Sequence, residues 1–373
     1  MRVLQVLSST NINSGIANVV MNYFRNIDRE EVQFDCLVFS QAPDNFDSEI
    51  SELGGKVYHF TQPGLKTYSK SQKELEEFFK EHGKEYEIIH CHEILVAKMV
   101  FKYARKYGNV KCISHSHSVK LSDKLIRAIR NRFIIMRLKQ KSDYCFACSR
   151  KAGQTAFGKN IKNDKKFFVL VNAINIDKYR FSTDDRRNVR EELSIDDKLV
   201  LGNIGRLSAE KNQKFAIDVL NAMLAKGKDA VLLLVGKGGI ENKLKEYARG
   251  YGIQDKVIFT GIRKDIPQIL SAMDFFVFPS KFEGFGITLL EAQASGLNCL
   301  CFENMPEEIK STDKLRCVSK KSKSEQWADI ILDTEKPNNR EMYCEELKEK
   351  GYDIKEQANN LKDLYFKIKE DNI

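Results

Sequence analysis

The chain has 373 residues, of which 42% are hydrophobic and 30% charged, and its formal net charge is +9. This length suggests two domains rather than one core, and the balance of apolar and charged residues excludes an intrinsically disordered chain. No apolar run approaches the ~20 residues that a membrane-spanning helix needs. The positive charge favours an anionic partner such as a phosphate group, a nucleic acid or an acidic membrane surface.

The N-terminus and the cysteines suggest the compartment. The opening stretch MRVLQVLSST has no long apolar core before a small-residue cleavage site, so it predicts a first β-strand rather than a signal peptide. The nine cysteines form no regular framework, which is typical of a reducing environment. We therefore expect a cytoplasmic protein.

Short apolar strands alternate with longer helical stretches through the first half of the chain. The predicted strands are RVLQVLSS, QFDCLVFS, YEIIHCH, VKCISHSH, DYCFACS and KKFFVLVNAI. The predicted helices are NVVMNYFRNI, QKELEEFFKEH, LVAKMVFKYARKYG and SDKLIRAIRNRFIIMRLKQ. This alternation predicts βαβ units and a parallel sheet.

The alternation restarts after a polar segment at residues 175–198. The later predicted strands are KLVLGNIGRL, AVLLLVGKG, KVIFTGI and FFVFPS, and the helices are KFAIDVLNAMLAKG, IENKLKEYARGYG and GITLLEAQASG. We expect two doubly wound α/β domains at residues 1–176 and 177–354, with a C-terminal helix at about 355–373 packing back on the first. Ligands of such folds bind at the carboxyl ends of the strands, so two facing edges would form a cleft.

Two connections in the second half suit a ligand that contains phosphate. In NIGRLSAEKNQKF, Arg206 and Lys211 follow a strand, and a helix begins beside them. Two cations beside a helix N-terminus predict a pyrophosphate site, although solvated charges after a turn glycine give the same pattern. In LLLVGKGGIENKL, Gly236 begins an incomplete dinucleotide fingerprint, which steric demands of the turn explain equally well.

The stretch FPSKFEGFGITLLEAQASG carries two acids, Glu283 and Glu291, around a strand-to-helix turn. The helix is predicted to begin near Ile287, so Glu283 lies in the loop and Glu291 about one turn inside. The backbone N–H groups of residues 286–288 would face a ligand. Glu283 could accept hydrogen bonds from sugar hydroxyls, and Glu291 could bind a ribose diol. The alternative is that Glu291 only favours the positive helix end and Glu283 is merely exposed.

Together, GRLSAEK and EGFGITLLEAQASG resemble the retaining glycosyltransferases of family four, whose signature is a Glu, seven residues and a second Glu. The resemblance extends over nearly the whole chain through SGIANVVMNYFRNID, VNAINIDKYRF and VIFTGIRKDIPQILSAMDFFVFPS. It looks closest to bacterial members that build capsular or exopolysaccharides. The resemblance implies the GT-B fold, with two Rossmann-like domains facing across a cleft, and a transfer that needs no cofactor and no metal.

The resemblance also implies roles for individual residues. The donor is expected to be a UDP-sugar, whose diphosphate would contact Arg206 and Lys211. Glu291 would hold the ribose. Glu283 would bind the donor sugar as a catalytic residue. The full set of expected donor-binding residues is Gly15, Arg206, Lys211, Gly236, Ile262, Gly286, Ile287, Thr288 and Glu291. The acceptor would be a glycan or a lipid-linked glycan. Two alternatives stay open: a non-hydrolysing nucleotide-sugar epimerase and a non-catalytic nucleotide-sugar-binding module.

Two His-x-His pairs end neighbouring predicted strands: His90 and His92 in IIHCHE, and His115 and His117 in ISHSHS. Such spacing can bind a metal. We expect no metal for two reasons. Alternate residues share one face only while a strand continues, and beyond Glu93 no Asp or Glu follows at a position where it could complete a set of metal ligands. The resemblance implies that one histidine at this edge lies beside the donor sugar and is catalytic, either His117, the first choice, or His115.

The segment VKLSDKLIRAIRNRFIIMRLKQK, residues 119–141, is the most basic part of the chain and has an apolar side. A basic amphipathic helix can lie on anionic lipid, and it can equally be a packed helix with a solvated face. Lipid-linked acceptors, which the resemblance implies, favour peripheral binding to the inner face of the membrane. Nucleic acid is not expected as a partner, because no aromatic platform or docking motif accompanies the charge.

Overall fold

The computed structural model describes residues 1–122, 124–335 and 339–372. The chain divides into two compact units, the first formed by Met1–Ala173 with Tyr352–Ile373 and the second by Ile174–Gly351. The chain therefore passes from one unit to the other between residues 173 and 174 and again between 351 and 352. The sequence predicted these boundaries between 176 and 177 and between 354 and 355. The functional labels of the two domains stay predictions.

The first unit is built on a seven-stranded parallel sheet with the order β3-β2-β1-β4-β5-β6-β7. Its strands are Arg2–Leu7 (β1), Gln33–Val38 (β2), Val57–His59 (β3), Ile88–Cys91 (β4), Lys111–Ser116 (β5), Tyr144–Ala147 (β6) and Phe167–Val169 (β7). The strands are apolar almost throughout because a parallel sheet is covered on both faces. The order changes direction between β1 and β4, which makes their carboxyl ends the expected ligand edge.

Helices cover this sheet. They are Gly15–Asn26 (α1), Asp47–Glu52 (α2), Tyr68–His82 (α3), Ala97–Tyr107 (α4), Leu125–Ile135 (α5), Leu138–Lys141 (α6), Arg150–Phe157 (α7) and, from the C-terminal segment, Ile354–Lys369 (α15). The last helix packs against α1, and its Tyr365 ring meets Phe34 edge-on in the core. Among the described residues, no helix combines the length and apolarity that crossing a bilayer requires.

The second unit holds a six-stranded parallel sheet with the order β10-β9-β8-β11-β12-β13. Its strands are Leu199–Ile204 (β8), Ala230–Val235 (β9), Val257–Gly261 (β10), Phe275–Phe278 (β11), Asn298–Phe302 (β12) and Leu315–Val318 (β13). Its helices are Thr183–Leu193 (α8), Gln213–Ala225 (α9), Glu241–Gly250 (α10), Ile266–Ala272 (α11), Ile287–Ala294 (α12), Ser324–Asp333 (α13) and Met342–Glu349 (α14). The order is that of a dinucleotide-binding fold, and it reverses between β8 and β11.

Several elements differ from the sequence prediction. The polar segment before β8 contains the helix α8, which Ser182 caps by accepting from the backbone N–H of Asp185. The strands β3, β12 and β13, which are three to five residues long, were not predicted. The basic helix is broken at Arg137, whose φ of 62° ends α5 and starts α6. Asp123, at the start of that segment, lies outside the described residues.

Candidate functional site

The second unit brings two predicted residues together at its switch point. Lys211 lies in the loop after β8 and Glu283 in the loop after β11, and these strands are neighbours in the sheet. The Lys211 Nζ donates to Glu283 Oε1 at 2.7 Å, and the two side chains are only 23% and 13% exposed. A partly buried ion pair therefore sits where a doubly wound fold binds its ligand.

Backbone and side-chain contacts hold these two loops together. The N–H of Lys281 donates to the carbonyl of Glu210 at 2.9 Å, and Nδ2 of Asn212 donates to the carbonyl of Pro279 at 3.2 Å. Arg206 lies in the same loop as Lys211 but is 71% exposed and contacts Glu210 at 3.2 Å. The site thus offers one anchored cation and one cation that can reach toward a ligand.

Three buried hydroxyl groups line this edge without a hydrogen-bond partner among the described residues: those of Ser208, Ser280 and Thr288. Ser208 and Ser280 lie in the loops after β8 and β11, and Thr288 lies in the first turn of α12. A buried polar atom without a partner costs about 1–3 kcal/mol, so the cluster indicates a polar ligand. Ser208 and Ser280 were not predicted as site residues, although their position after strands was a usable signal.

The helix α12 begins as predicted. Gly286 precedes its first residue, Ile287, with φ 98°, a conformation that favours glycine. The first backbone N–H groups of a helix lack intrahelical partners and favour an anion. Residues 286–288 therefore supply N–H donors at the same edge as Lys211.

Glu291 lies one turn inside α12, as predicted, and has a hydrogen-bond partner that was not predicted. The hydroxyl of Tyr179 donates to its Oε1 at 2.7 Å. Burial raises the pKa of Glu291 to about 7, and the hydrogen bond from Tyr179 opposes that rise. Among the described residues, no other group hydrogen-bonds this carboxylate, so its second oxygen is available to a ligand.

The remaining predicted positions of this unit follow β9 and β10. A Cβ atom at Gly236 would lie 2.3 Å from the carbonyl oxygen of Gly205, so the loops after β8 and β9 can pack closely only with glycine there. Packing alone thus accounts for Gly236, and its contact with a donor stays a prediction. Ile262 follows β10 and is half exposed at the same edge of the sheet.

At the switch point of the first unit, Gly15 begins α1 after β1, and Ser14 caps that helix by accepting from the N–H of Ala17. A Cβ atom at Gly15 would meet no atom within 4 Å. Local packing therefore does not require glycine at this position. The predicted close approach to a ligand still offers a reason for it.

The four histidines gather in one cluster at the ends of β4 and β5. His92 Nδ1 lies 2.8 Å from His117 Nε2, and His90 Nε2 lies 3.1 Å from His115 Nδ1. Burial lowers the pKa of His90 and of His117 to about 3 and keeps the pKa values of the other two well below their usual range. All four imidazoles are therefore neutral at physiological pH.

One of the two reasons for expecting no metal is wrong, while the absence of a metal stays a prediction. The strand ends keep both pairs on one side, and ligand atoms of His90, His92 and His115 lie within 4.8 Å of one another. Neutral imidazoles are good ligands for transition metals. Among the described residues, however, these nitrogens already hydrogen-bond one another, and no acidic side chain hydrogen-bonds any of the rings.

Comparison with known proteins gives the enzyme class. Residues 185–353 match the family model described as glycosyl transferases group 1. The putative glycosyltransferase EpsF of Bacillus subtilis is 28% identical to this chain, over 98% of the chain and 96% of EpsF. The chain is a glycosyltransferase, and its match to the group 1 family model lies almost entirely in the second unit. An Escherichia coli enzyme, UDP-Gal:alpha-D-GlcNAc-diphosphoundecaprenol alpha-1,3-galactosyltransferase, is 24% identical over 77% of this chain and 76% of its own length.

Solved structures establish the fold of this glycosyltransferase. The Anabaena protein HepE, in complex with UDP and glucose, has a TM-score of 0.79 at 20% identity and covers 98% of this chain and 99% of its own. Sucrose-phosphate synthase from Thermosynechococcus elongatus has a TM-score of 0.78 at 16% identity, covering 99% of both chains. The predicted GT-B fold and the predicted enzyme class are confirmed, and nothing in the comparisons supports an epimerase.

Proposed function

We propose that this glycosyltransferase moves a sugar, with retention of configuration, from a UDP-sugar to a glycan or lipid-linked acceptor in surface polysaccharide synthesis. The observation that carries the donor site is the cluster at the β8–β11 switch point, where the Lys211–Glu283 pair, three unpartnered hydroxyls and the start of α12 meet. The names of similar proteins support a UDP-sugar as donor and a lipid-linked sugar as acceptor. HepE structures contain UDP or UDP-glucose, and two related enzymes act on undecaprenol-linked sugars.

The diphosphate is assigned to Arg206, Lys211 and the N–H groups of residues 286–288. Negative charge builds up on the leaving diphosphate as the glycosidic bond breaks, and fixed positive groups stabilise it most in that transition state. An ammonium group has three N–H donors, so Lys211 can keep its bond to Glu283 while it binds a phosphate oxygen. Glu283 thereby holds Lys211 in place and can also accept a hydrogen bond from a hydroxyl of the donor sugar.

Glu291 is assigned to the ribose. Its second carboxylate oxygen can accept from a ribose hydroxyl while Tyr179 holds the first. Gly15, Ile262 and His117 are further donor contacts that this proposal requires. Their part is supported by their position at the carboxyl edge of each sheet and is tested by substitution.

A nucleotide-sugar screen by thermal shift tests the donor assignment. A ligand that binds only the native state raises the melting temperature by mass action. UDP and UDP-sugars should raise it, while GDP-mannose and ADP-glucose at equal concentration should raise it less. A larger shift with a purine nucleotide would overturn the UDP assignment, and no shift with any nucleotide would overturn the donor site.

We infer that the transfer needs no metal. The support is the set of positive groups already at the switch point, together with the lack of an Asp-x-Asp tripeptide in the sequence. Turnover should therefore be unchanged after the enzyme has been dialysed against EDTA. Loss of turnover that Mg²⁺ or Mn²⁺ restores would contradict this part of the proposal.

We propose that the α5 region, residues 124–136, docks on an anionic membrane. Five of its large apolar side chains are at least half exposed, and Ile126 is 83% exposed; the five are Leu125, Ile126, Ile129, Phe133 and Met136. Exposed cations lie among these side chains. The apolar groups could enter the headgroup boundary of a membrane, and the cations are attracted to anionic lipid. The enzyme would then work as a peripheral protein on the inner face, where a lipid-linked acceptor is available.

Replacing Lys124, Arg127 and Arg130 with Gln should release the protein from anionic vesicles at low salt, because each cation near such a surface contributes about 1 kcal/mol. Vesicle co-sedimentation measures this. A matched control removes the same charge from exposed lysines of the same unit, at Lys66, Lys73 and Lys80. Equal loss in both variants would show a general charge effect, and wild-type protein that ignores anionic vesicles would defeat the proposal.

A further inference from the structure

The four histidines of the first unit form two hydrogen-bonded arms that both start at Gln5. This residue lies in β1 and is 1% exposed. Its Nε2 donates to the hydroxyl of Tyr365 at 3.3 Å, and its Oε1 accepts from His92 Nε2 at 2.8 Å. Because an amide has one donating and one accepting end, Gln5 sets opposite directions of donation in the two arms.

The first arm runs through Tyr365 of α15. Burial raises the pKa of Tyr365, so its hydroxyl keeps its proton. This hydroxyl accepts from Gln5 and therefore donates to Nδ1 of His90 at 2.6 Å. The neutral His90 carries its proton on Nε2 and donates it to Nδ1 of His115 at 3.1 Å. His115 is then protonated at Nε2, a buried atom with no partner among the described residues.

The second arm runs through His92. Since His92 donates from Nε2 to Gln5, its Nδ1 must accept, and it accepts from Nε2 of His117 at 2.8 Å. Nδ1 of His117 is left with a lone pair and has no hydrogen-bond partner in the described part of the chain. His117 is also the most exposed of the four histidines. The two arms therefore end in an N–H on His115 and a lone pair on His117.

We propose that Gln5 and Tyr365 are positioning residues, which fix the tautomers of His115 and His117 so that this edge presents one donor and one acceptor to a single substrate hydroxyl. A hydroxyl group both donates and accepts, so it matches such a pair. The ring centroids of His115 and His117 lie 3.9 Å apart, within reach of one small group. This inference rests on the proposed function, in which a histidine at this edge contacts the sugar.

The orientation of one amide decides the whole pattern. If the Gln5 side chain turned by half a rotation, every proton in both arms would move to the other ring nitrogen. His117 would then present an N–H and His115 a lone pair. A bound divalent ion is the other arrangement that the cluster could adopt, and it would break the contacts between the rings. The three arrangements differ in which nitrogen of each ring carries a proton, which nitrogen NMR reads directly.

The test is the ¹⁵N spectrum of selectively labelled histidine in the ligand-free protein at neutral pH. All four clustered rings are expected to be protonated at Nε2 and unprotonated at Nδ1, and one equivalent of Zn²⁺ is expected to leave them unchanged. A proton on Nδ1 of His117 would overturn the inference. Stoichiometric shifts of these rings with Zn²⁺ would overturn it in favour of a metal site.

Two variants separate the arms. In Gln5→Leu, the Nε2–H of His92 loses its acceptor, so its proton should move to Nδ1 and reverse His117. Turnover should then fall by about 10–100-fold, as for one lost hydrogen bond to the substrate, while the donor KM changes little. In Tyr365→Phe, the spectra of His90 and His115 should change while that of His117 stays the same.

Both outcomes can be told apart from failure of the proposed function. The tautomers are read without any substrate, so they stay measurable if UDP-sugars prove not to be donors. If transfer is observed but Gln5→Leu keeps the His117 tautomer and full turnover, the inference fails alone. Should Gln5→Leu not fold, Tyr365→Phe carries the test, and unchanged His90 and His115 spectra in that variant would overturn the proposal.

Discussion

Arg206→Ala is expected to lower turnover by about 10²–10³-fold, as does removal of one preorganised donor from a developing anion. The guanidinium lies in the loop after β8 beside the start of α9, at the switch point of the second unit. Because the side chain is 71% exposed, the free energy of unfolding should change by less than about 0.5 kcal/mol. Release of UDP from a UDP-sugar, measured beside thermal unfolding, separates the two effects.

Lys211→Ala should cause a similar loss of turnover but also lower the melting temperature. Its removal leaves the carboxylate of Glu283, which is 13% exposed, without the ammonium that it contacts at 2.7 Å. Lys243→Ala, at an exposed lysine of α10, is the matched control and should change neither quantity. Full turnover in both Arg206→Ala and Lys211→Ala would rule out their contact with the diphosphate.

Glu291 should make donor binding depend on pH. Burial raises the pKa of this carboxyl to about 7, so in the free enzyme it is protonated below that pH and ionised above it. The ionised carboxylate accepts more strongly from Tyr179 and from a ribose hydroxyl than the protonated group does. The Kd for UDP-glucose should therefore rise by up to about tenfold per unit as the pH falls below 7, and level off above it. Titration calorimetry from about pH 5.5 to about pH 8.5 measures this.

Two variants test the assignment of that titration. Glu291→Gln should weaken UDP-glucose binding by about 10–100-fold at high pH, as for a lost charged hydrogen bond, and should remove the pH dependence. Tyr179→Phe removes a hydrogen bond that lowers the pKa of Glu291, so the midpoint should move to higher pH. Unchanged affinity in Glu291→Gln would show that the ribose lies elsewhere.

The sequence was sufficient for the fold because its strongest signals are local. Long apolar strands such as β8 and β9 and the amphipathic helices between them repeat in an order that only a parallel sheet satisfies. The three unpredicted strands are short, and β3 and β13 also lie at the sheet edges, where partial exposure weakens the apolar pattern. The start of α12 was predictable because glycines precede an apolar run.

Contacts between distant residues could not be predicted in the same way. Lys211 and Glu283 were each recognised, but their ion pair joins residues 72 positions apart. The hydrogen bond from Tyr179 to Glu291 spans 112 positions, and that between Tyr365 and His90 spans 275. Periodicity carries no information about such pairs, which is why the convergence of the four histidines was not predicted.

A crystal structure of the protein with UDP-glucose would locate the donor. The ribose hydroxyls are expected to hydrogen-bond to Glu291. The diphosphate is expected to lie against Lys211, Arg206 and the backbone N–H groups at the start of α12. A nucleotide bound away from the β8–β11 switch point, without contact to Lys211 or Glu291, would overturn the proposed donor site.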